Sequence, residues 1–115
     1  MSEPQLQILN RNVMRDLIGD DVELTRKFEI EFLHQAKLSL KKIVQFYNGD
    51  NLLPIKDEAH FLKTSARAVG AEKTAELLEC LERIALDSDK EQCKAKILLL
   101  SKAIKQVYGE ITNEG

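Results

Sequence analysis

Tryptophan is absent from this chain, aromatic residues of all kinds make up only 5%, and glycine and proline number five and two. Beside 43% hydrophobic and 31% charged residues, that scarcity reads as a helix-rich folded protein and excludes a disordered tail. A basic excess is also missing. Lys and Arg total 17 against 19 Asp and Glu, a formal charge of −2, which argues against a domain that binds nucleic acid by neutralising its phosphates. No apolar run approaches the roughly 18 residues needed to span a bilayer, and MSEPQLQILN has neither the basic start nor the apolar stretch of a secretory signal. A cytoplasmic protein without membrane contact is expected. The two cysteines, Cys80 and Cys93, form no C-x-x-C and stand near no histidine pair of zinc spacing. They are expected to be buried, inert thiols.

At 115 residues the chain is long enough to bury a core unaided, and one domain over residues 1–115 is the expectation. Punctuation falls at Gly19-Asp20, Asn48-Gly49-Asp50, Gly70 and Asp87-Ser88-Asp89, cutting the chain into helices. After Asp20 as N-cap, an apolar stripe runs through Val22, Phe32, Leu33, Ala36, Leu40, Ile43, Val44 and Tyr47 to a stop at Gly49. The next stripe is Ile55, Ala59, Leu62, Ala66 and Val69, with Pro54 in the first turn and Gly70 as terminator. A third follows Ala71, Thr74, Ala75, Leu78, Leu81 and Ala85. The fourth opens on Ser88-Asp89-Lys90-Glu91, a capping-box pattern, and carries Ile97, Leu100, Ile104, Val107 and Ile111. Helices of about 21–48, 51–69, 71–87 and 89–109, joined by short connections, predict an all-α, antiparallel up-down-up-down four-helix bundle. A short N-terminal helix around residues 5–18 would cap one end.

At about 100° per residue, His60 lies about 130° from the core direction of its helix and points outward. Lys56, Lys63 and Arg67 stand at i−4, i+3 and i+7 from it, on the flank where helical neighbours meet. Thr64, one turn on, completes the patch. A neutral imidazole is a competent nucleophile, and nearby cations disfavour the protonated ring and would neutralise an attached phosphoryl group. Phosphoryl transfer needs mainly positioning and charge stabilisation, so the patch meets half of that requirement and a partner must supply the rest.

The segment Ala59-His60-Phe61-Leu62-Lys63-Thr64-Ser65-Ala66-Arg67-Ala68-Val69-Gly70-Ala71, followed by Leu78-Glu79-Cys80-Leu81-Glu82, resembles the signature of histidine phosphotransfer domains, in particular the stand-alone relay proteins of bacterial phosphorelays. Leu17-Ile18-Gly19-Asp20-Asp21 and Phe32 are similar too, so the resemblance covers nearly the whole chain. It implies a bundle whose exposed histidine, here His60, carries phosphate, with Lys63 holding the phosphoryl oxygens and Arg67 and Lys56 adding positive charge. Glu82 matches a position where the family often places Gln or another polar side chain that orients the imidazole; it is equally readable as a surface residue pairing with Arg83 or Lys73. Thr64 departs from the family's usual Gly four residues after the histidine, where a receiver must approach closely, and brings a hydroxyl able to bond the phosphoryl group.

The resemblance further implies a phosphocarrier that accepts a phosphoryl group from a receiver-domain aspartate and passes it to another receiver. The partners would be receiver domains of response regulators or hybrid sensor kinases, docking on Phe61, Ala68 and Phe28. Mg²⁺ is expected on the partner, no cofactor on this chain, and a monomer in solution. Three rivals are weaker. Glu31-x-x-His34 and Asp57-x-x-His60 have the spacing of di-iron helices, but Glu31 and His34 lie about 140° to 160° from their own apolar stripe and face solvent. A sensor kinase would need a nucleotide-binding loop, and no G-x-x-x-x-G-K-[ST] occurs. A helical adaptor without chemistry is the remaining alternative.

Overall fold

Side-chain caps set where three of the helices start. In the computed structural model, which describes residues 5–113, α1 (Arg11–Ile18) opens on Asn10, whose side chain accepts from the Asn12 N–H. Asp21 caps α2 (Val22–Asn48) through the Leu24 N–H, and Asp89 caps α5 (Lys90–Thr112) through the Gln92 N–H; each such cap contributes about 1 kcal/mol. Helix α3 (Leu53–Val69) has no side-chain cap and instead seats Pro54 in its first turn, where the ring's fixed φ fits and the missing N–H costs nothing. After Gly70 and Ala71 comes α4 (Glu72–Leu86).

Several boundaries differ from the sequence reading. Asp21 and not Asp20 caps α2, and Asp89 and not Ser88 caps α5. Ser88 adopts φ 56, outside the extended region a capping residue occupies, so the Ser88/Glu91 box does not form. Helix α3 begins at Leu53 because Asp50, also at φ 56, is used to close the turn after α2. Residues 5–10 are not helical. The Gln7 N–H donates to Glu72 Oε1 at 2.9 Å and the Gln7 carbonyl accepts from the Lys73 N–H at 3.1 Å, so this segment spends its hydrogen bonds on the start of α4 instead of on a ladder of its own. Helix α5 continues past Gly109 to Thr112.

The connections 49–52, 70–71 and 87–89 are too short for anything but antiparallel neighbours. Helix α3 packs between α2 and α4, and α5 closes the ring by packing on α4 and α2, giving the up-down-up-down four-helix bundle. Helix α1 lies against α2 and α3, on the end of the bundle where α3 turns into α4. That turn requires glycine. Gly70 has φ 86, and a Cβ there would fall 2.1 Å from the Asn10 carbonyl oxygen.

The stripes of α3, α4 and α5 are buried throughout. In α2 the stripe holds at Phe32, Ala36 and Ile43, but Val22 is 79% exposed and Val44 lies at the surface. Adjacent residues 43 and 44 point about 100° apart, and Ile43 takes the core position. Two polar residues fill the rest of that seam. Glu29 pairs with Arg11 at 3.4 Å, and the Ser39 hydroxyl donates to Glu58 Oε2 at 2.7 Å. Phe32, Ile55, Leu62, Leu78, Leu81 and Leu100 are almost completely enclosed, and each contributes about 1.5–3 kcal/mol, against about 0–1 kcal/mol for a surface ion pair. The apolar seam therefore holds the fold, and the surface charges are free to serve other ends.

Of the two cysteines only Cys93 is buried; burial, reinforced by the Asp89 charge, pushes its thiol above the ordinary value. Cys80, expected to be enclosed, is half-buried on the flank of α4, where the Arg83 guanidinium donates to its sulfur at 3.4 Å. It stands between Leu78 and Leu81, which take the core positions of that turn. No helix among the described residues is long and apolar enough to cross a membrane.

Candidate functional site

Helix α3 carries its buried stripe between α2 and α4, which leaves Leu53, Asp57, Phe61, Thr64 and Ala68 exposed on the opposite face. His60 sits midway along that face with its side chain 66% exposed. Its ring is not free to turn. Nδ1 lies 2.9 Å from Glu82 Oε1 on α4, and the other carboxylate oxygen, Oε2, makes a 2.5 Å ion-pair contact with Lys63 Nζ. Lys63 stands one turn from His60 on α3 and is nearly buried, its aliphatic stem covered by the α3–α4 seam. Burial opposes ionisation of Glu82, but the contacts with Lys63 and His60 outweigh it and hold the carboxyl below its ordinary range. An ionised carboxylate only accepts, so the proton in the His60–Glu82 bond belongs to Nδ1. In the neutral ring, Nε2 on the far edge then carries the lone pair.

His60, Lys63 and Glu82 are thus brought together; the other predicted residues are not. Arg67 pairs across the helix seam with Glu79 at 3.8 Å, and Lys56 with its neighbour Asp57 at 3.9 Å. Both border the exposed face without touching the imidazole. The Thr64 hydroxyl turns back and donates over a long 3.4 Å to the His60 carbonyl, so it closes its own helical turn and does not reach outward.

Two polar links between α2 and α3 fix the frame of this face. Besides Ser39 to Glu58, the Ser65 hydroxyl donates to Gln35 Oε1 at 2.7 Å. These links set α2 beside α3, and Leu38, which lies on α2 between Gln35 and Ser39, is 62% exposed. Phe61, Ala68 and Phe28 are exposed as the sequence suggested. Leu38 escaped sequence reasoning because it lies off the α2 stripe, and an isolated exposed Leu carries no signal of its own. Ser39 could have been noticed: it occupies a stripe position between Ala36 and Ile43. Glu31 and His34 are exposed on α2, far from the core geometry that a di-iron centre uses.

Comparison with known proteins bears on the same residues. Phosphorelay intermediate protein YPD1 of Saccharomyces cerevisiae is 26% identical over 88 residues, covering 73% of this chain and 53% of that protein. The chain spans about half the length of the curated relative it matches. No solved structure matches. The sequence model described as "Hpt domain" matches residues 30–110, a span that begins inside α2, includes all of α3 and α4 with His60, Lys63 and Glu82, and ends within α5. Over most of its length, and through the face built around His60, the chain belongs to the Hpt domain family.

Proposed function

We propose that this chain is a phosphorelay intermediate that takes a phosphoryl group onto His60 from a receiver-domain aspartate and hands it to the aspartate of a second receiver. The observation that carries the reading is the seating of His60: a ring 66% exposed, fixed through Nδ1 by Glu82, with Lys63 at its side. In that arrangement Nε2 is the acceptor. It attacks phosphorus in line, the N–P bond forms as the P–O bond to the aspartate breaks, and the aspartyl carboxylate leaves. The Nδ1 proton stays on the ring, shared with Glu82. Lys63 neutralises charge on the moving phosphoryl group, with Arg67 and Lys56 adding a weaker field from the rim. Onward transfer is the same step reversed.

In this reading Mg²⁺ comes with the receiver, and the chain is a carrier and not an independent enzyme. Phe61, Ala68, Phe28 and Leu38 give the receiver an apolar docking surface around the histidine, and Thr64 is small enough for close approach. In this reading the Hpt domain works as a monomer in the cytoplasm, where receivers are found. The test is incubation of a radiolabelled phospho-receiver with Mg²⁺ and either wild type or His60→Gln. An acid-labile, base-stable label on the wild type and none on the variant is the expected result. No label from several receivers, with receiver binding unaffected by His60→Gln, would replace the relay by an adaptor role.

A further inference from the structure

A neutral imidazole that attacks through Nε2 while its Nδ1 is protonated becomes a phosphoimidazolium, which carries a positive charge on the ring. The fate of the Nδ1 proton then decides how readily the phosphoryl group leaves. If the proton stays, the N–P bond breaks with its electron pair going to Nε2 and releases a neutral imidazole. If it is lost, the departing group is an imidazolate, a far poorer leaving group, and the phosphohistidine is inert.

The residue facing Nδ1 is a carboxylate, Glu82, at 2.9 Å, and it is held ionised in a half-buried position beside Lys63. A neutral amide at this place would also accept the Nδ1–H bond but would offer no charge to an imidazolium. The ion pairs on the α3–α4 side of the bundle draw on two helices: Lys56 with Asp57, Lys63 and Arg67 on α3, and Glu79 and Glu82 on α4. Arg67 and Glu79 face each other, Lys56 faces Asp57, and Glu82 is the only side chain among the described residues in hydrogen-bond contact with the imidazole ring. Among the described residues, no charged side chain of α2 forms an ion pair or hydrogen bond with the ring.

We propose that Glu82 is a positioning residue that retains the Nδ1 proton on phosphorylated His60 and so keeps the phosphohistidine in its transferable form under neutral and mildly alkaline conditions. The proposal rests on His60 being the phosphoryl acceptor and adds what sets the lability of the phosphoryl group once it is there. Hydrogen bonds to charged partners are about twice as strong as neutral ones, enough to move a proton-dependent profile by about one pH unit, or about tenfold in rate on its alkaline side.

The experiment loads wild type and Glu82→Gln with phosphoramidate, a donor that needs no receiver, and follows loss of phosphate from His60 between pH 5 and 9. The wild type should keep its fast decay to a pH about one unit higher than the variant, with the two converging at the acid end. Coincident profiles, a variant that decays faster at pH 8, or failure of phosphoramidate to load His60 would overturn the proposal. A second reading uses the wild type alone: ¹⁵N shifts of phosphorylated His60 should show Nδ1 still protonated at pH 8, and a deprotonated Nδ1 at pH 7 would overturn it. Failure of the relay reading looks different, as a chain that loads from phosphoramidate but exchanges phosphate with no receiver.

Discussion

The Asn10 backbone N–H donates to the Gly70 carbonyl at 2.7 Å, and the Asn10 carbonyl oxygen lies where a Gly70 Cβ would have to be. The leading segment is thereby stapled to the turn between α3 and α4, one helix end away from His60. Gly70→Ala should cost at least about 2 kcal/mol, from a side chain forced into the left-handed region and displacement of residue 10. For a domain of this size that lowers Tm by about 8 °C or more. An unchanged Tm would mean that the segment does not pack on the turn.

Two carboxyls give the stability a defined acid limb. The Asn10 side chain and the Gln7 backbone N–H hold Glu72 below its ordinary value of 4.5, and Glu82 is lowered against the opposing effect of its burial. A carboxyl lowered in the folded state contributes stability that is present above the unfolded value of 4.5 and lost as pH falls through the folded one. Unfolding by urea should therefore become easier from about pH 4.5 downward. Glu72→Gln should be less stable than wild type at pH 7 and lose less on acidification. Parallel curves for the two proteins would exclude Glu72 from that limb.

The thiols should separate kinetically. Cys80 is half-exposed and Cys93 is enclosed between α5 and the core, with its thiol pushed up by burial. In native protein at pH 8 a disulfide-exchange reagent should modify one thiol quickly, and peptide mapping should place it at Cys80. Cys93 should react only with the unfolding rate. Equal reactivity of both would contradict the packing of α5.

Among the cations of the face, Lys63 is the one in place. Lys63→Ala should slow phosphoryl transfer about 10²-fold, the usual cost of removing one donor to developing charge. Arg67→Ala and Lys56→Ala, whose partners are Glu79 and Asp57, should change it by about threefold or less. Rates measured against one phospho-receiver decide the matter, and a larger loss from Arg67→Ala than from Lys63→Ala would reverse the assignment.

Periodicity made the bundle legible because three of its four helices bury every residue of their stripes. It failed where the rule was local. Helix α2 offered Ile43 and Val44 to the same core, and a one-dimensional pattern does not choose between neighbours 100° apart. Asp20 against Asp21 and Ser88 against Asp89 depend on backbone angles that residue type does not fix. At the site, the outward direction of His60 and the flank of Lys63 followed from helical spacing alone. The hold of Glu82 on both did not, because it crosses from α4 to α3 and only the resemblance to histidine phosphotransfer domains singled that position out. Thr64, Arg67 and Lys56 border the exposed face, yet Arg67 and Lys56 pair with Glu79 and Asp57 and the Thr64 hydroxyl bonds back to the His60 carbonyl.

The most direct measurement is phosphorus NMR of ¹⁵N-histidine-labelled protein after loading from a phospho-receiver. A single new phosphorus resonance, coupled to Nε2 of His60 and absent from His60→Gln, is the predicted result. Phosphate coupled to Nδ1 would contradict the hold of Glu82 on the ring, and phosphate on any other residue would contradict His60 as the acceptor.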